Sequence, residues 1–187
     1  AGQIIQQDIC QIQELLHRIL NTSDYVEICR MGGLTNHTYK VTMQDGEEYV
    51  VRIPGAGTEA MIVRSDEKIS TELACSLGVD APLLYFSTDG SKITRYIPNA
   101  ITMSAETLRQ SRHIEQVAEI FRTMHNCGVN THVPFEVFDM AAGYEKIIRE
   151  KQVPMFGDYF DAKAEVMQIK ADIDANFEIH KVPCHND

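Results

Sequence analysis

Three short stretches carry residue types from which phosphate chemistry could be built. The first is Met31-Gly32-Gly33-Leu34-Thr35-Asn36, placed between two β-rich runs. Glycines there let the backbone approach a ligand closely, and their amides could cradle phosphates. A plain turn explains two glycines equally well. The second is Arg52, flanked by Val50, Val51 and Ile53. A charge in a mostly apolar strand is costly unless it is paired or faces a polar cleft. Glu67, and after it Glu72, are the natural partners on the following helical segment. A strand cation paired to a helix glutamate is an arrangement that holds nucleotide α- and β-phosphates. On the strand alone, an arginine turned outward to solvent fits as well. The third is Lys181-Val182-Pro183-Cys184-His185-Asn186-Asp187, where an aspartate two residues after a histidine could accept a proton from a reacting hydroxyl.

Other patterns lead elsewhere. Gly55-Ala56-Gly57-Thr58-Glu59-Ala60 follows a strand and matches the dinucleotide fingerprint GxGxxA. That fingerprint belongs after a buried parallel strand, whereas this strand is the third of an antiparallel meander and carries Arg52. A surface loop is the expectation. The Walker pattern GxxxxGK[ST] is absent. His180, Cys184 and His185 are three potential zinc ligands without an obvious fourth. His113 and His125 read as surface or packing residues. Tyr144, Phe156, Tyr159 and Phe160 could face a cation, but packing of their helices is the simpler expectation.

Residues 4–20 space Ile4, Ile5, Ile9, Ile12, Leu15, Leu16 and Ile19 as one helix face, ended by Asn21-Thr22-Ser23-Asp24. The period then changes. Runs at 25–28, 37–42 and 48–53 predict three strands, the last two joined by an Asp45-Gly46 hairpin. A helix is expected from Ser65 to Leu77, stopped by Gly78. Two strands follow, 82–86 and 92–97, across Thr88-Asp89-Gly90-Ser91. Beyond Pro98 the pattern is helical: a long helix capped by Ser104 and ended by Gly128, then weaker ones at 139–150 and 158–177. Strands segregated from helices predict an α+β protein in two parts: residues 1–97, a linker at 98–105, and 106–187.

Composition narrows the function classes. The chain has 187 residues, 44% of them hydrophobic, and a net charge of −10. That is ordinary globular composition. It lacks the basic footprint of a nucleic-acid binder, and the acidic excess divides evenly about Pro98. No stretch approaches the ~18 apolar residues of a membrane span. Five widely spaced cysteines without a CxxC pair suggest reduced thiols in a cytoplasmic protein.

Taken together, Gly32-Gly33-Leu34-Thr35-Asn36, the Val50-Val51-Arg52-Ile53 strand, Ile93-Thr94-Arg95-Tyr96-Ile97-Pro98 and the His185-Asn186-Asp187 ending resemble the choline/ethanolamine kinases. The resemblance is to their bacterial choline kinase branch, within an aminoglycoside-phosphotransferase-like group of protein-kinase-like fold. Gly55-x-Gly57-Thr58-Glu59 and Arg64-Ser65-Asp66-Glu67-Lys68 resemble the loop and helix after the third strand in that branch. The resemblance implies an ATP- and Mg2+-dependent kinase acting on the hydroxyl of choline, or of ethanolamine, an aminoglycoside or another small alcohol. It implies that Gly32, Gly33, Leu34, Thr35 and Asn36 cover the phosphates of ATP. Arg52 would hold the α- and β-phosphates, with Glu67 as its partner. Tyr96 and Ile97 would meet the adenine, Asp187 would act as catalytic base, and His185 would brace its loop. The family's metal-binding Asn and Asp follow that aspartate, so the sequence reads as a truncated, inactive form. A non-catalytic nucleotide- or partner-binding module on the same scaffold is the competing expectation.

Overall fold

A computed structural model describes residues 3–32, 36–57 and 62–185. The chain forms two compact units: residues 1–131 with 183–187, and residues 132–182.

The larger unit is built on an antiparallel sheet. Helix α1 (Gln6–Leu20) is followed by β1 (Tyr25–Gly32), β2 (Asn36–Met43), β3 (Glu48–Pro54), helix α2 (Arg64–Ser76), β4 (Leu83–Phe86) and β5 (Lys92–Arg95). The strand order is β1-β2-β3-β5-β4, with every pair antiparallel. Alternation along β2 and β3 sends Tyr39, Val41, Met43, Tyr49, Val51 and Ile53 to one face. There they form a core with Ile12, Leu15 and Leu16 of α1 and Ile93 of β5. Asn21 ends α1 in the left-handed conformation, with φ of 58°. The alternate residues of β3, Val50 and Arg52, therefore face away from α1.

The single long helix expected from Ser104 is instead two elements. A short 3-10 helix runs Thr107–Arg109, and α3 spans Ser111–His125. Ser104 does cap, its hydroxyl accepting the Thr107 amide at 3.2 Å. The ring Nδ1 of buried His113 then bonds the Thr107 carbonyl at 2.9 Å, where a continuous helix would receive the Ser111 amide. Gln110 turns extended between them.

The smaller unit holds α4 (Val137–Glu150) and α5 (Tyr159–Asn176). Buried Glu145 accepts from the Tyr159 hydroxyl at 2.7 Å and from Lys163 at 2.6 and 2.7 Å. Packing of the aromatics, expected from the sequence, is overturned for Phe156 and Phe160, which are 83% and 59% exposed. Phe160 lies on α5, which spreads its apolar residues round the helix so that no single face can bury them, and Phe156 lies in the loop before that helix. Among the described residues no helix is long and apolar enough to cross a membrane.

Candidate active site

Strand register lines up four residues across the sheet. Gly32 of β1 stands opposite Thr38 of β2, Thr38 opposite Arg52 of β3, and Arg52 opposite Lys92 of β5. Side chains in one such row share a face. The end of the glycine turn is thus level with two cations, on the face away from α1.

Arg52 is held from three directions. Its Nη1 donates to Glu67 Oε1 of α2 in an ion pair. Its Nε and Nη2 both donate to the Gly90 carbonyl, at 3.2 and 2.7 Å. Its guanidinium lies 5.5 Å from the ring centre of Phe86, a favourable cation–aromatic distance. These bonds use three of the five N–H donors of a guanidinium. Among the described residues, the second N–H on each Nη has no hydrogen-bond partner. Glu72 is not the partner; it faces Lys68 at 3.8 Å, one helical turn away.

Glu67 bridges two arginines, because its Oε2 accepts from Arg64 Nη1 at 2.7 Å. Burial would raise this carboxyl, but hydrogen bonds and charges from Arg52 and Arg64 outweigh it and hold the group below its ordinary value. A depressed acid stabilises the fold above its unfolded pKa of about 4.3, and that contribution disappears as pH falls through the folded value. Glu67→Gln should therefore flatten acid unfolding below about pH 4 while lowering stability at neutral pH, as followed by circular dichroism across pH.

The β4–β5 turn supplies the third contact through a specific construction. Asp89 accepts from the hydroxyl of Ser87, and from the amide and hydroxyl of Ser91 at 2.8 and 3.1 Å. Gly90 sits at φ of 94°, and a Cβ there would lie 2.6 Å from Arg64 Nε. The positive φ calls for glycine, and a Cβ would in addition displace the end of the Arg64 side chain. Gly90→Ala should cost about 1–3 kcal/mol in urea denaturation.

Lys92, half-buried, is a group that sequence reasoning missed. Burial and the neighbouring Arg52 charge hold its ammonium below the usual lysine range, against opposing pulls from Asp80 and Glu67. Its signal was the hairpin after β4, but only the β3–β5 adjacency makes it level with Arg52. Thr38 was missed for the same reason, since cross-strand neighbours follow from topology, and Gly90 read only as part of a turn.

The remaining expectations divide. Gly32 ends β1 and Asn36 opens β2, opposite Pro54. Gly33, Leu34, Thr35 and Asp187 lie outside the described residues. His185 is exposed, with its ring 6.1 Å from that of Phe121 on α3. Tyr96 and Ile97 directly follow β5. The Tyr96 amide donates to the Glu48 carbonyl at 3.0 Å, and Lys40 Nζ stands 4.2 Å from the centre of its ring. In the Gly55–Gly57 segment, β3 is antiparallel to both neighbours, which removes the parallel context that a dinucleotide fingerprint needs.

The family model for choline/ethanolamine kinase matches residues 28–187. Protein LicA of Haemophilus influenzae is 27% identical over 181 residues, covering 94% of this chain and 51% of that protein. The crystal structure of choline kinase LicA from Streptococcus pneumoniae superposes with a TM-score of 0.83 at 27% identity, over 97% of this chain and 62% of that one. A choline/ethanolamine kinase family protein from Mesorhizobium loti gives a TM-score of 0.71 at 27% identity, over 94% and 56%. The chain spans about half the length of the curated relatives it matches. The fold is α+β and protein-kinase-like. From the match across residues 28–187, the chain belongs to the choline/ethanolamine kinase family.

Proposed function

We propose that this chain carries the nucleotide-binding part of an ATP-dependent kinase that phosphorylates the hydroxyl of choline. Residues 1–97 form the nucleotide-binding lobe, 98–105 the linker, and 106–187 the start of the helical lobe. The observation that carries the reading is Arg52, braced by Glu67 and Gly90 with two N–H donors to spare. A fork of charged donors fits phosphate oxygens better than a single ammonium does. Lys92 and Gly32 stand in the same row, so an anion set against Arg52 also meets the Lys92 charge.

The adenine end follows from the backbone. With the Tyr96 amide spent on Glu48 and no amide on Pro98, the Ile97 N–H is the donor that an adenine ring nitrogen would meet. ATP supplies the γ-phosphoryl group. Asp187 accepts the hydroxyl proton as that group transfers, and His185 braces its loop. Among the described residues no three His, Cys, Asp or Glu side chains converge as metal ligands. Choline is preferred over ethanolamine or an aminoglycoside on the likeness to the LicA proteins.

The test is substrate turnover by the protein encoded by the whole gene. Incubation with ATP and Mg2+ and, separately, choline, ethanolamine or an aminoglycoside, followed by 31P NMR, should show a phosphomonoester with choline. A product only with another alcohol would reassign the substrate, and no product with any would favour a non-catalytic nucleotide-binding module.

A further inference from the structure

Asp8 is an acid in the first turn of α1 that the chemistry above does not use, and it is only 6% exposed. Its Oδ2 is the acceptor for two residues of β2: the Tyr39 hydroxyl at 2.5 Å and His37 Nδ1 at 2.7 Å. Burial and the bond to Asp8 raise the Tyr39 hydroxyl above its ordinary value, so it remains a donor. A second tie joins the segment before α1 to β1, where Arg30 Nη1 donates to the Gln3 carbonyl at 2.8 Å. Arg30 lies two residues before Gly32, and His37 directly follows Asn36. The β2 flank of the glycine stretch is thus tied to the first turn of α1, and the β1 flank to the segment just before it. The grip comes from the α1 face of the sheet, since His37 and Tyr39 pair with Ile53 and Val51 while Arg52 faces the other way.

A buried carboxylate is costly, and hydrophobic packing alone would seat α1 more cheaply. What the carboxylate adds is direction: bonds to a charged acceptor fix where the strand ends lie, which apolar contact does not. We propose that Asp8 is a positioning residue for the nucleotide phosphates, acting through His37 and Tyr39 on the β2 flank of the glycine stretch. This rests on the nucleotide reading of that turn.

The test uses the full chain with Asp8→Ala, Tyr39→Phe, and Ile12→Val as a core variant in the same helix. Two readouts separate the proposal from the reading beneath it. Without nucleotide, hydrogen exchange at the amides of Arg30–Gly32 and Asn36–Tyr39 should quicken about tenfold in Asp8→Ala while β5 is unchanged. With nucleotide, ATP should bind about tenfold more weakly with adenosine affinity unchanged. Tyr39→Phe should show the same pattern at lower amplitude, and it serves if Asp8→Ala does not fold. Ile12→Val should lower stability and move neither readout. Unchanged exchange at the turn flanks, or an equal change in Ile12→Val, overturns the proposal even if the wild type binds ATP normally. Faster exchange with unchanged ATP affinity overturns the positioning role and leaves only a structural tie. A wild type that binds ATP no better than adenosine overturns the nucleotide reading and, with it, this proposal.

Discussion

Replacing Asp187 by asparagine in the protein encoded by the whole gene should lower kcat by about 10³-fold, with ATP affinity changed by less than about twofold. An amide keeps the size of the carboxylate and removes its capacity to take a proton. Phosphoryl transfer asks for a positioned acceptor on the attacking hydroxyl, and loss of that group is felt only in the transition state. The expected signature is therefore a fall in kcat with KM for ATP preserved. Single-turnover measurements separate this from slow product release. Turnover at a tenth of wild type or better would remove Asp187 from the base role and turn attention to another acceptor.

Arg52→Ala should act in the opposite way, through binding. It removes the partner of Glu67 and both bonds to the Gly90 carbonyl and, on the proposed reading, two charged donors to the phosphates. Charge-assisted bonds of this kind carry about 1.5–3 kcal/mol each, so nucleotide affinity should fall by roughly 10²-fold, with kcat falling as well. Stability should change less, because Arg64 still holds Glu67 at 2.7 Å. Arg52→Lys should recover only part of the affinity, since an ammonium cannot serve Glu67, Gly90 and a phosphate with a planar fork. Isothermal titration with a non-hydrolysable ATP analogue reads the affinity directly. Unchanged affinity would place Arg52 in a structural clamp only.

Much of this was legible in the residues, for reasons that differ from element to element. The strands and α1 follow from strong local periods, two in β2 and β3 and between three and four in α1. Arg52 stood out because an ion among Val50, Val51 and Ile53 demands a partner, and Glu67 lay on the next helix. The long helix from Ser104 failed because His113 reaches back to the Thr107 carbonyl, a tertiary contact that no local propensity encodes. The row Gly32–Thr38–Arg52–Lys92 depends on β5 inserting between β3 and β4. Sequence order alone would have placed β4 beside β3 and left Lys92 unnoticed. Asp8 was hidden for a similar reason, since an acid in the first turn of a helix is ordinary until its partners 29 and 31 residues away come into view.

The most direct measurement is a phosphate ladder, with adenosine, AMP, ADP and ATP titrated against wild type and Arg52→Ala. Wild-type affinity should climb with each phosphate from adenosine to ADP, and this climb should collapse in Arg52→Ala while adenosine binding is unchanged. A wild type that binds adenosine as tightly as ATP, or a variant that keeps the full climb, would contradict the assignment of Arg52 to the nucleotide phosphates.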